Sequence, residues 1–172
     1  MKKIRHKVLA PALALGLIAA GGSATSAQDE ALVTFQVMKP EIAVKLAQAA
    51  MEDCRAKGAQ VAVAVVDRFG TMQMMLRDRF AGPHTPETAR RKAWTAVSFR
   101  TDTVTLSGTT APGSEAYGAN FIPEALMLGG GVPIEAHGSL IGAVGISGAP
   151  SGEMDDECAR AGIAAVEADL AF

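Results

Sequence analysis

The chain has 172 residues, 16 basic and 18 acidic side chains, and a formal net charge of −2. Residues 1–27 read as a secretory signal peptide. Lys2, Lys3, Arg5 and Lys7 form the positive start, Val8 to Ala20 the apolar run, and Thr25-Ser26-Ala27 the small-residue exit before Gln28. The apolar run is short for a membrane span, and no cysteine lies near the cut to mark a lipoprotein. Cleavage removes those four basic residues, leaving 12 against 18 acidic ones, a net charge of −6. So acidic a chain offers no electrostatic footprint for phosphate backbones or anionic lipid. Nucleic-acid binding is set aside, and so is membrane attachment once the signal is gone. The expected location is periplasmic or secreted. About 145 residues remain, the span of one domain, with no internal repeat or long linker.

In chain order, residues 28–40 read as an N-terminal arm, with Val33 to Met38 either extended or a short strand. Pro40 suits the first turn of a helix running to about Lys57. Ile42, Leu46, Ala49, Ala50 and Cys54 fall on it at helical spacing, and Gly58 ends it. Val61 to Val66 is a β-branched and alanine run expected as a buried strand. Asp67-Arg68-Phe69-Gly70 turns the chain, and Thr71 to Leu76 returns antiparallel. After a polar loop to His84, Thr85 as N-cap and Pro86 at the first position open a helix to about Phe99. Its inward face carries Ala89, Ala93, Ala96 and Val97. A short helix is expected over Thr101 to Leu106, then a surface loop from Ser107 to Gly118.

The stretch Gly129 to Gly148, GGGVPIEAHGSLIGAVGISG, reads as a second hairpin: Val132 to Ala136, a turn at His137-Gly138, and Ser139 to Ser147. Alternation puts Leu140, Gly142, Val144 and Ile146 on one face and Ile141, Ala143, Gly145 and Ser147 on the other. Glycines inside that strand mark close approach by another element, subunit or ligand. Ser151 caps a last helix over Gly152 to Asp169, with Glu153, Asp155, Asp156 and Glu157 crowding its positive end. Hairpins separated by helices imply an α+β architecture around an antiparallel sheet.

The succession VAVAVVDRFG, RRKAWTAVSF, GGGVPIEAHGSLIGAVGISGA and an acidic start to the final helix resembles the GlcG/HbpS family, which includes the C-terminal domain of PduO. The residues carrying the resemblance are Asp67, Gly70, Lys92, Ala93, Gly130, Gly131, Pro133, Gly142, Ser147 and Gly148. It makes residues 41–172 a single domain of this family. It implies a profilin/PAS-like, five-stranded antiparallel sheet with helices on both faces. It also implies haem binding, shown by some members, and homo-oligomers, octameric in some. No shared reaction comes with it, and no catalytic motif is evident. Ser147 is not in a G-x-S-x-G elbow, and Gly129-Gly130-Gly131 opens a strand rather than a helix.

Candidate ligand-binding residues follow from their chemistry. His84, in a loop before a helix, is the candidate metal ligand for haem iron. His137, at a hairpin tip, makes no zinc spacing with it. Met72, Met74 and Met127 are candidate pocket or axial residues, with Met72 and Met74 expected to share a strand face and Met75 to oppose them. Tyr117, the only tyrosine, is a further candidate for iron. Lys92 in an alanine-lined helix face suits a propionate or small carboxylate, with Asp67 as its partner or as a turn-former. Gly130 and Gly131 suit backbone close to a cofactor. The readings are a haem- or tetrapyrrole-binding protein for sensing, storage or handling, an oligomeric binder of a small carboxylate such as a 2-hydroxy acid, and an enzyme of unrecognised class. In the sheet order implied by the resemblance, the first and last helices lie antiparallel on one face. That brings Cys54 and Cys158, the only cysteines, together for a disulfide in an oxidising compartment.

Overall fold

In the computed structural model, residues 33–171 are described, and the signal-peptide segment lies outside them. The chain divides into Met1–Thr34 and Phe35–Phe172, and the second unit carries the fold. Residues 35–39 form no strand and do not join the sheet, an arm rather than a strand. Helix α1 (Pro40–Ala56) leads to the hairpin β1 (Ala62–Asp67) and β2 (Met72–Arg77). Helices α2 (Thr85–Phe99) and α3 (Thr103–Thr109) follow, then a 3₁₀ turn at Glu115–Phe121. The second hairpin is β3 (Gly131–Ala136) and β4 (Ser139–Ser147), and α4 (Gly152–Ala164) and α5 (Glu167–Leu170) close the chain.

The sheet is antiparallel throughout, in the order β2-β1-β4-β3. It has four strands among the described residues where five were expected, because the N-terminal arm does not pair. The expected layering is present. Val63 and Val65 of β1, Val144 and Ile146 of β4, and Val132 and Ile134 of β3 form one face, covered by α1 and α4. Ala62, Ala64, Val66 and Ala143 form the other, covered by Ala89, Ala93, Ala96 and Val97 of α2. This second interface is built of small residues, so the backbones come close. At Gly145 an added Cβ would collide with the carbonyl of Ala89 and come within 2.6 Å of the Ala93 nitrogen. That contact is the close approach signalled by glycine inside β4.

Both turns follow from local chemistry. Asp67 Oδ1 accepts from the Phe69 and Thr71 amides at 2.8 and 2.9 Å, so Asp67 forms the turn and is not the partner of Lys92. His137 (φ 50°) and Gly138 (φ 70°) both take positive φ, the geometry whose twist suits a two-residue hairpin.

Three expectations change. A register irregularity between Val65 and Val66 pairs Val65 with Met74 but Val66 with Met72. Met72 and Met75 therefore join the α2-side cluster, while Met74 packs on the α1 side. A second irregularity, between Ile134 and Glu135, turns Ile141 to the α1 side and Leu140 to the α2 side. In both cases one extra residue in one strand reverses the face of its neighbours. The last helix breaks after Ala164 and restarts at Glu167, which leaves Val166 fully buried in the core.

Candidate functional site

Helix α2 begins one residue earlier than its capping pattern implied, with His84 in the N-cap position and Pro86 inside the first turn. Thr85 Oγ1 donates to the Gly82 carbonyl at 2.8 Å and so does not cap the helix. The His84 carbonyl accepts from Thr88, through both its amide at 3.1 Å and its hydroxyl at 3.0 Å. This leaves the imidazole exposed, at the edge of the loop from Asp78 to Gly82. The loop is anchored at its base. Arg55 grips the buried carboxylate of Asp78 in a two-point contact at 2.7 and 3.1 Å, which lowers the Asp78 pKa from its ordinary value.

Beside His84 lies a cleft of ≈ 460 Å³. One wall is Phe80, Gly82 and His84. The other is the backbone from Ser147 to Gly152, which joins β4 to α4, and Leu128 borders the opening. Phe80 is 78% exposed and Leu128 47%, large apolar side chains facing solvent at a concave site. Leu128 is placed by a segment tied to α2. Arg91 donates to the Ala125 carbonyl at 2.6 Å, Leu126 N–H donates to Thr95 Oγ1 at 2.8 Å, and Arg90 pairs with Glu124.

Lys92 and Asp155 line the cleft at depth, their side chains only 1% and 4% exposed. Lys92 Nζ donates to Asp155 Oδ2 at 2.7 Å and to the Ile146 carbonyl at 2.9 Å. Asp155 Oδ1 accepts from the Ala149 amide at 3.0 Å. The pair thus fastens α2, the end of β4 and the start of α4 to one another. Burial pushes the Asp155 carboxyl above its ordinary value, and the Lys92 charge and the Ala149 N–H pull it part of the way back. Gly130 (φ 111°) crosses just behind. A Cβ there would lie 2.5 Å from Asp155 Cβ and 3.1 Å from Lys92 Nζ. Gly131 packs on the Lys92 backbone carbonyl, where a side chain would collide.

The structure therefore brings His84, Lys92, Gly130 and Gly131 around one region, the glycines behind the ion pair rather than at the opening. Met72 and Met74 lie on opposite faces of β2, outside the cleft. Met127 precedes Leu128 but does not line it. Tyr117 stands in the 3₁₀ turn, stacked edge-on against Phe121 with ring centroids 5.5 Å apart. Asp155 was legible only as a helix-end charge, although its spacing to the buried Cys158, Ala159 and Gly162 marks it as the inward-facing acid of its cluster. Phe80 and Leu128 gave no sequence signal beyond composition, whereas Ser147 and Gly148 stood out only through the family resemblance and Ser151 only as a helix cap. Among the described residues, no three His, Cys, Asp or Glu side chains gather as a metal site, and no helix is long and apolar enough to cross a membrane.

Residues 38–164 match the family model described as "Haem degrading protein HbpS-like". The corrinoid adenosyltransferase PduO of Salmonella typhimurium is 37% identical over 124 residues, 71% of this chain. The chain spans only 37% of that relative's length. A double mutant of HbpS from Streptomyces reticuli superposes with a TM-score of 0.74 at 37% identity, covering 92% of this chain and 97% of that one. A complex of PduOC with haem superposes with a TM-score of 0.71 at 35% identity, covering 76% and 95%.

Proposed function

Because the chain belongs to the HbpS-like family, we propose that it binds haem in the cleft beside His84 and serves haem sensing, storage or handling as an exported protein. The observation that carries this reading is an exposed imidazole on the rim of a concave site bordered by Phe80 and Leu128. These residues fit the group. A porphyrin needs apolar surface for its faces and one donor for its iron, and its propionates can remain in solvent. His84 would hold the iron through an imidazole nitrogen. Phe80 and Leu128 would pack on the ring, and the first turn of α4 at Ser151 and Gly152 would offer N–H groups to a propionate. Lys92 would not hold a propionate, because its ammonium is already engaged by Asp155 and Ile146. The same engagement removes the cation that a small carboxylate would have needed there. Bound haem would supply an iron centre for redox or ligand chemistry. The relative crystallised as a haem complex supports the reading.

Titration with haemin tests it. The expected result is a shifted Soret band that saturates at a fixed stoichiometry. His84→Ala should move the band or weaken binding at least about tenfold, roughly 1.4 kcal/mol. An unchanged spectrum and affinity would remove His84 as the ligand.

Export and self-association complete the proposal. Amino-terminal sequencing of the protein recovered from the periplasm or medium should begin at Gln28, whereas recovery with Met1 in the cytoplasm would refute export. For association, β2 is an edge strand whose Met72 and Met75 are only half-buried, on the sheet face that α2 covers. Light scattering at micromolar concentration should give a mass of several chains. A mass of one chain would reject the oligomer.

A further inference from the structure

At the other end of α2, the β1–β2 turn encloses a second recess of ≈ 300 Å³. Arg68, Phe69, Trp94, Val97, Arg100 and Leu140 line it. Arg55, Arg90 and Arg160 each hold a carboxylate. The guanidinium groups of Arg68 and Arg100 have neither a carboxylate nor a hydrogen-bond partner among the described residues. Arg68 instead stacks its guanidinium 4.0 Å from the centroid of the Phe35 ring. Stacking occupies the face of the group and leaves its N–H edge free. The neighbouring carboxylate, Asp67, is directed into its own turn, where it accepts from Phe69 and Thr71.

Arg100 carries a second signal. It ends α2 in the left-handed region at φ 53°, its amide bonded to the Ala96 carbonyl. Glycine takes that conformation at no steric cost, so an arginine there is a strained choice, and Arg100 lines the recess. The apolar wall is fixed as well. Gly70, at φ 81°, lacks a Cβ that would lie 2.7 Å from Trp94 Cδ1, so the indole packs directly on the turn backbone.

We propose that this recess binds a small planar organic carboxylate, its charge held between Arg68 and Arg100 and its flat apolar part against Trp94 and Leu140. Two unneutralised guanidiniums in an otherwise acidic protein select an anion, and their forked N–H groups match a carboxylate. Beyond them the wall is aromatic and aliphatic, which favours an organic anion over a bare inorganic one. The volume is at the lower limit of small-molecule sites, enough for one ring.

Trp94 is the only tryptophan, so its fluorescence reports on this recess alone. Benzoate titrated into the haem-free protein should give a saturable change, and the neutral isostere benzamide should not. Arg68→Gln and Arg100→Gln should each weaken benzoate at least about fivefold. Arg100→Gly relieves the backbone strain while removing the charge, so it should fold at least as stably and still lose affinity. That separates binding from folding. The proposal is overturned by no saturable change up to about 10 mM benzoate, a concentration at which even millimolar binding would be visible. Equal binding of benzamide overturns it too, and equal competition by inorganic phosphate overturns the ligand class. None of these outcomes depends on whether haem binds beside His84.

Discussion

Replacing Cys54 and Cys158 together by alanine is expected to lower stability by about 4 kcal/mol. The two are disulfide-bonded with Cα atoms 5.5 Å apart and are separated by 104 residues. In the chain-entropy model, a loop of that length restricts the unfolded state by about 4–5 kcal/mol. Helix packing sets up the bond. Helices α1 and α4 run antiparallel, and Gly162 lets them touch. A Cβ at Gly162 would be 2.8 Å from the Leu46 carbonyl and 2.7 Å from Ala50 Cβ. The surface ion pairs nearby, Lys45 of α1 to Asp169 of α5 and Lys57 to Glu157 of α4, are solvent-exposed and add little. Both cysteines are fully buried, so alanine is the better test; serine would add the separate cost of buried hydroxyls. Urea unfolding of wild type and the double variant, each under oxidising and reducing conditions, measures the effect. Reduction should destabilise wild type alone. A loss below about 1 kcal/mol would show that the unfolded chain is not restricted as the loop length implies.

This juxtaposition of cysteines was legible once the family sheet order was supplied, because it depends on element order and not on side-chain detail. The hairpins were legible for a more local reason. Asp67 and Gly70 in one turn and His137-Gly138 in the other encode their geometry within four residues. What depended on one-residue register was not legible. The two strand irregularities carry no composition signal of their own, yet they decide which faces Met72, Met74, Leu140 and Ile141 occupy. At the candidate site, His84 and Lys92 stood out by chemistry, whereas Asp155 lies 63 residues from its partner. A buried lysine on an alanine-lined helix requires an acid somewhere, but only the packing of α2 against β4 and α4 says which. The Arg68–Arg100 recess was hidden for a related reason: an unpaired charge is recognised only once every neighbour has been placed.

Asp155→Asn should destabilise the fold by about 3–5 kcal/mol, the usual consequence of stranding one member of a buried ion pair. The Lys92 ammonium, 1% exposed, would keep the Ile146 carbonyl but lose its counter-charge. The same change weakens the contact to the Ala149 amide, so the loop that walls the His84 cleft should loosen with it. Lys92→Met strands the opposite member, and here pH decides the cost. In wild type, burial already raises the Asp155 pKa above its ordinary 3.8, with Lys92 the main restraint on that rise. Without Lys92 the carboxyl rises further and can be buried as the neutral acid. The folded state then binds the proton more tightly than the unfolded state. Stability is therefore retained below pH 3.8 and is lost as pH climbs from there through the raised folded value. The paired Asp78 titrates with the opposite sign: its pKa is lowered, so its contribution is present at higher pH and lost on acidification. Unfolding midpoints compared between Lys92→Met and wild type across the acid range cancel the shared Asp78 effect and isolate Asp155. The expected difference is small in acid and widens toward neutrality, and a difference independent of pH would show that the variant fails through lost packing instead. The double variant Lys92→Met/Asp155→Leu, which buries no charge, should recover much of the stability lost by either single change. If it is no better than the single variants, the three elements around the cleft are held by the hydrogen bonds to Ile146 and Ala149 rather than by the charge pair.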